Sequence, residues 1–173
     1  MRQDVERRPR RDPPMSAATE AHIEIQQLVH RYADAVIHRN GAQWTSTWAP
    51  EAEWDLGGGR LVEGVEAISA LWHKAMGGFE ATIQTVLNGE THLGDSGETA
   101  SGRWYIQEHV VRSGDKRSLL LAHYEDEYRK VEGSWKFTRR LLEPHYNGAT
   151  DLSDEFNCTG DKLRARSVEG ITV

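Results

Sequence analysis

Two short stretches hold side chains able to bind and polarise a small molecule: Ile83-Gln84-Thr85 and Trp104-Tyr105-Ile106-Gln107-Glu108-His109. If the second is a strand, alternate residues share a face. Tyr105, Gln107 and His109 then form one set, and Trp104, Ile106 and Glu108 the other. Arg140 brings a permanent planar charge suited to a carboxylate, an enolate or a departing anion, and equally to a surface salt bridge. Tyr32 offers a hydroxyl that serves a cavity or, as in many buried tyrosines, a core partner. Trp54, Trp72 and Phe79 are large enough to line the mouth or floor of an apolar pocket or simply to fill a core.

Other chemistries are poorly supported. The chain has eight histidines, but His22, His30 and His38 follow one another at intervals of eight on one helical stretch. Each is turned by about 80° from the last, so they share no coordination site. There is no HExxH motif and no Cys/His cluster, and we expect no metal and no cofactor. Gly57-Gly58-Gly59 lacks the Gly-Lys-Ser/Thr ending of a phosphate loop and reads as a hairpin turn. A net charge of −6 argues against a nucleic-acid partner. No apolar run reaches the roughly 20 residues of a membrane span. The single cysteine, Cys158, forms no internal disulfide and suits a reducing, cytoplasmic setting.

These residues need a scaffold, and 173 residues suffice for one domain. Residues 1–18 read as a disordered extension, arginine-rich up to Pro14 and without the apolar core of a secretory signal. Thr19 is the expected cap of a first helix, with Ile25, Leu28, Val29, Tyr32, Ala33 and Val36 at helical spacing and a stop near Asn40-Gly41. A short second helix is expected to carry Trp44 and Trp48 and to end at Pro50. A strand at 52–56 and a hairpin into 60–63 precede a third helix through Val65, Ile68, Leu71, Trp72 and Met76. Segments near 81–93, 98–112, 117–131 and 134–143 read as strands separated by Gly-containing turns, an antiparallel meander. Helices first and a meander afterwards is the α+β pattern. The domain is expected over 19–152, with a tail at 153–173.

The order of elements carries local strings: Ile25-Gln26-Gln27-Leu28, Ala52-Glu53-Trp54, a Gly64-centred turn, Tyr124-Glu125-Asp126-Glu127-Tyr128, and Gly133-Ser134-Trp135-Lys136-Phe137 leading to Arg139-Arg140. Over about residues 20–150 the chain resembles the SnoaL-like branch of the nuclear transport factor 2-like superfamily, and within it the hexachlorocyclohexane dehydrochlorinases. The resemblance implies a cone-shaped α+β barrel enclosing a pocket for a small, largely apolar ligand. It also implies homo-oligomers, dimers or trimers, formed through the outer sheet face, where we expect Trp104 and Ile106. The set Tyr105, Gln107 and His109 is expected inside, meeting Gln84, with Leu120, Ala122 and Tyr124 beside it and His123 outside. Arg140 falls where the dehydrochlorinases place a pocket arginine, and Tyr32 where they place a lysine.

Dehydrochlorinase-type enzymes use a His–Asp dyad as general base. Its positions are filled here by Ile37 and Gln84, neither of which takes up a proton near neutral pH. Two functions stay open at this point. One is a cofactor-independent lyase, isomerase or cyclase acting on a hydrophobic cyclic or polyketide-like substrate, with Tyr32, Gln84, Gln107 and Arg140 as catalytic candidates. For it, Trp54, Trp72, Phe79, Tyr105, His109, Leu120 and Tyr124 are the substrate-binding candidates. The other is a non-catalytic ligand-binding or assembly module.

Overall fold

The computed structural model describes residues 15–156. The expectations for the arginine-rich extension through Pro14, and for the tail beyond 156 with Cys158, fall outside the described residues.

The first helix, α1, runs over Ala17–His38. Its cap is Ser16 rather than Thr19: the Ser16 Oγ accepts the Thr19 N–H at 3.2 Å. This satisfies one of the orphan donors at the helix start. Arg39, in the left-handed region at φ 54, ends the helix. The second helix, α2, spans only Gly41–Thr45, capped by Asn40. Trp48 opens strand β1, Trp48–Asp55, instead of continuing that helix. Pro50 lies within β1, where the register with its neighbour is interrupted between Trp48 and Glu53, so its missing N–H breaks no ladder bond.

Strand β2, Leu61–Glu63, and helix α3, Val65–Gly77, follow. The meander is β3, Phe79–Leu93; β4, Thr99–Arg112; β5, Lys116–Val131; and β6, Ser134–Gly148, the last running past its expected end at 143. The strands form one six-stranded sheet in the order β2-β1-β6-β5-β4-β3. Every neighbouring pair is antiparallel except β1 with β6. Register shifts at 86–89, 121–122 and 127–128 bend the long strands. The curved sheet closes on the helices, giving the α+β arrangement of the cone.

Between the layers lies an aromatic core. Trp44 stacks on Trp72 with centroids 4.9 Å apart, and Trp48, Trp54, Tyr32 and Phe137 complete the cluster. Trp54 and Trp72, offered as pocket lining, are buried within it.

The faces of β4 are the reverse of the expectation. Trp104 pairs with Tyr124, Ile106 with Ala122, and Glu108 with Leu120. Directly opposed residues share a face, so Trp104, Ile106 and Glu108 join Tyr124, Ala122 and Leu120 inside the cone. Trp104 and Ile106 are both 1% exposed and cannot form an outer patch. Tyr105, Gln107 and His109 lie on the outer face with His123. Only glycine fits opposite the Trp104 ring, since a Cβ at Gly89 would lie 2.3 Å from it.

Candidate functional site

Polar side chains from five elements gather inside the cone: Tyr32 from α1, Gln84 from β3, Glu108 from β4, Tyr124 from β5 and Arg140 from β6. Tyr32, Gln84, Tyr124 and Arg140 are the sequence candidates brought together here. Glu108 is the residue that sequence reasoning set on the wrong face.

Glu108 is part-buried and accepts a hydrogen bond from Gln84 Nε2 at 2.7 Å. Burial pushes its carboxyl above the ordinary 4.5, against the lowering influence of the Gln84 hydrogen bond and of Arg112. The Gln84 nitrogen also lies 3.4 Å from the Tyr124 hydroxyl oxygen. The Gln84 side chain is buried, and its Oε1 has no hydrogen-bond partner.

Tyr124 packs edge-on against Tyr32, with centroids 6.1 Å apart at 72°. Burial raises the pKa of both phenols, only partly offset by the Arg140 charge, so both are neutral hydrogen-bond donors at neutral pH. Beside these polar groups, Ile106, Ala122 and Tyr124 form a small apolar cluster with Val86, Leu120 and Leu142. Leu120, expected inside, is part of this lining.

Arg140 is fully buried, as expected of a pocket residue, and it already has an internal anion as partner, although its Nη1 is without a hydrogen bond. Its Nε and Nη2 donate to the two oxygens of Asp126 at 2.8 and 2.7 Å. Burial disfavours its charge, yet the Asp126 carboxylate more than offsets this and holds the guanidinium above its usual range. The guanidinium carbon sits 3.9 Å from the centroids of Tyr124 and Phe137 and 4.3 Å from that of Tyr32, a threefold cation–π contact. Asp126 Oδ2 also accepts the Tyr128 hydroxyl at 2.7 Å, and the Tyr128 oxygen accepts Trp104 Nε1 at 2.9 Å. His22 stacks on that indole and bonds Thr91. The chain of contacts fixes the charge that faces the two tyrosines.

The remaining candidates stand elsewhere. Gln107 Nε2 and His109 Nε2 are 2.7 Å apart on the outer face. Tyr105 lies on that face too, beside His123 and His145. Phe79 opens β3 beneath the Arg112 guanidinium, 4.8 Å away. At the dyad positions, Gln84 is inside, whereas Ile37 is 38% exposed. His38 pairs with Asp34 at 3.5 Å on the exposed side of α1, away from the cone. Among the described residues no group of three or more His, Cys, Asp or Glu side chains gathers to hold a metal. Two clefts, of about 240 and 480 Å³, lie beside Arg103 and Tyr105 and near the β3–β4 turn, and neither touches the Glu108 cluster.

Two signals in the sequence point to this site. In a β4 strand with one buried face, the large apolar pair Trp104 and Ile106 claims the interior and carries Glu108 with it. In the string from Tyr124 to Tyr128, alternation sets Asp126 on the face of both tyrosines, where a buried arginine needs an acid.

Among curated proteins, none matches the chain. Solved structures do. LinA superposes with a TM-score of 0.71 at 23% identity, over 83% of this chain and 97% of its own. A LinA-type3 hexachlorocyclohexane dehydrochlorinase from Novosphingobium barchaimii gives 0.69 at 20%, over 83% and 98%. A putative scytalone dehydratase from Novosphingobium aromaticivorans gives 0.69 at 19%, over 80% and 91%. At these identities the likeness is one of fold. The profile of the SnoaL-like domain matches residues 17–141, which takes in α1, the sheet as far as the middle of β6 and the five polar side chains named above, and the chain belongs to that family.

Proposed function

We propose that the chain is a cofactor-independent enzyme of the lyase or isomerase kind. It removes a proton from carbon next to a carbonyl in a small, largely apolar, cyclic or polyketide-like substrate, with Glu108 as general base. The observation that carries this reading is Glu108 itself: a part-buried carboxylate with a raised pKa, fixed by Gln84 beside two buried neutral phenols. A base of raised pKa is better matched to proton transfer near neutral pH than an ordinary surface carboxylate. In the step, the C–H electron pair moves into the C–C bond, the carbonyl becomes an enolate oxygen, and the proton passes to a Glu108 oxygen. Tyr124 and Tyr32 donate to the developing oxyanion. Donors of this kind in a dry site contribute on the order of 3–4 kcal/mol each. Arg140, neutralised by Asp126, favours charge at those phenols without touching the substrate. The dyad is thereby replaced, at a different strand, by a carboxylate held by an amide.

The test is exchange of carbon-bound hydrogen for deuterium, followed by NMR, across a panel of small cyclic ketones in D₂O. Exchange that falls about 10²–10⁴-fold in Glu108→Gln supports the assignment. Exchange unaffected by that substitution removes it. A non-catalytic ligand-binding module is the second reading, favoured by the bidentate pairing of Arg140 Nε and Nη2 with Asp126. It predicts saturable ketone binding without exchange.

A further inference from the structure

The two ends of the Gln84 amide are treated unequally. Its nitrogen faces both the Glu108 carboxylate, at 2.7 Å, and the Tyr124 hydroxyl, at 3.4 Å. Its oxygen is buried with no partner. A carboxylate only accepts hydrogen bonds, so an amide nitrogen is its matching neighbour. Tyr124, accepting from the same nitrogen, directs its own proton away from Gln84, towards the Tyr32 hydroxyl with which it shares a hydrogen bond and from which a substrate oxygen would take it. The arrangement is matched to an ionised Glu108.

A proton on Glu108 reverses the match, because a carboxylic acid presents an O–H donor. A half-turn of the terminal amide, an easily rotated torsion, then brings Oε1 between Glu108 and Tyr124. The oxygen has two lone pairs and accepts from both.

We propose that Gln84 is a positioning residue that couples the ionisation of Glu108 to the direction of the Tyr124 hydroxyl. With Glu108 ionised, Tyr124 points its proton at the substrate oxygen. With Glu108 protonated, Tyr124 turns to Gln84. Base and oxyanion donor are thus present together or withdrawn together. This rests on Glu108 being the base of the reaction proposed above. Around Glu108, Arg112 on its own strand is the charge that lowers its pKa. Tyr32 from α1 and Tyr124 from β5 both feel the Glu108 charge, and Arg140 from β6 acts on the same phenols.

The coupling is measurable without any substrate, so its failure is distinct from a failure of the exchange assay. The full chain carrying ¹⁵N-glutamine, ¹³Cδ-glutamate and ¹³Cζ-tyrosine is titrated by NMR. The Gln84 amide, the Glu108 carboxyl and the Tyr124 phenol carbon are expected to move with one shared midpoint above 4.5. Glu108→Gln should abolish the titration at both other sites. In Gln84→Met, Glu108 should still titrate while Tyr124 no longer follows it. Should Gln84→Met fail to fold, Tyr124→Phe serves instead, where the Gln84 amide must still follow Glu108. A Tyr124 signal that tracks Glu108 without Gln84, or a Gln84 amide unmoved through the Glu108 midpoint, overturns the proposal.

Discussion

Arg140 and Asp126 meet through two hydrogen bonds in an interior that leaves both side chains without solvent contact. Such a pair is weak evidence for net stability, since both charges have lost water. Removing one partner is another matter, because the other is then left charged and buried. Asp126→Leu is expected to cost about 3–5 kcal/mol in urea unfolding. Arg140→Met combined with Asp126→Leu should recover a large part of that loss, giving a clear coupling in a double-mutant cycle.

The Glu108 carboxyl has a folded-state pKa above 4.5. In the window from 4.5 up to that raised value the folded chain binds more protons than the unfolded one, so this group's contribution to stability falls as pH rises. Glu108→Gln keeps an acceptor for Gln84 and has no charge to bury. Thermal unfolding should show the variant more stable than the parent at neutral pH. The difference should vanish below 4.5. An advantage that is independent of pH would point to packing instead.

Gly89→Ala forces a Cβ against a Trp104 ring that has no room to move, with the nearest ring atom at 2.3 Å. Overpacking of this kind costs about 1–3 kcal/mol. The loss should be accompanied by a changed near-ultraviolet circular dichroism signal from the displaced indole.

Self-association, expected from the sequence through Trp104 and Ile106, needs other residues, because both are inside. The outer face of β3 instead leaves Ile83 and Leu87 56% and 53% exposed. Paired exposed apolar side chains on a sheet face are a common contact surface. We expect sedimentation velocity to report a dimer or trimer that Ile83→Lys with Leu87→Lys reduces to monomer. A parent chain that sediments as a monomer at micromolar concentration contradicts this.

The order of helices and strands was legible because period and turn residues encode it locally: α3 and the meander fall close to where Val65–Met76 and the glycine-containing turns place them. The cap was misplaced by three residues since Ser16 and Thr19 are chemically equivalent caps, and only the backbone path chooses between them. Trp48 looked helical four residues after Trp44, but a tertiary partner, Phe137 of β6, draws it into a strand. The site was half legible. Tyr32, Gln84, Tyr124 and Arg140 do lie together inside, as expected, while Glu108 was set outside through a single reversal of β4. The reversal conflicts with the placement of Tyr124 and Leu120 inside, since antiparallel register makes Trp104 share the face of Tyr124. A strand pattern gives two faces but not which is inward; cross-strand pairing decides it.

The parallel pairing of β1 with β6 carries a consequence for how the chain reaches this form. Ser46, just before β1, accepts a hydrogen bond from Lys136 of β6, 90 residues further along. No local turn brings these strands together, so the loop-closure entropy must be met before their contacts form. Until β6 is in place, β1 has only the short β2 as a neighbour, and Trp48 of β1 and Tyr32 of α1 lack Phe137 as their ring partner. Closure of the cone is therefore expected late in folding, with the last strand of the meander supplying Phe137 to the aromatic core.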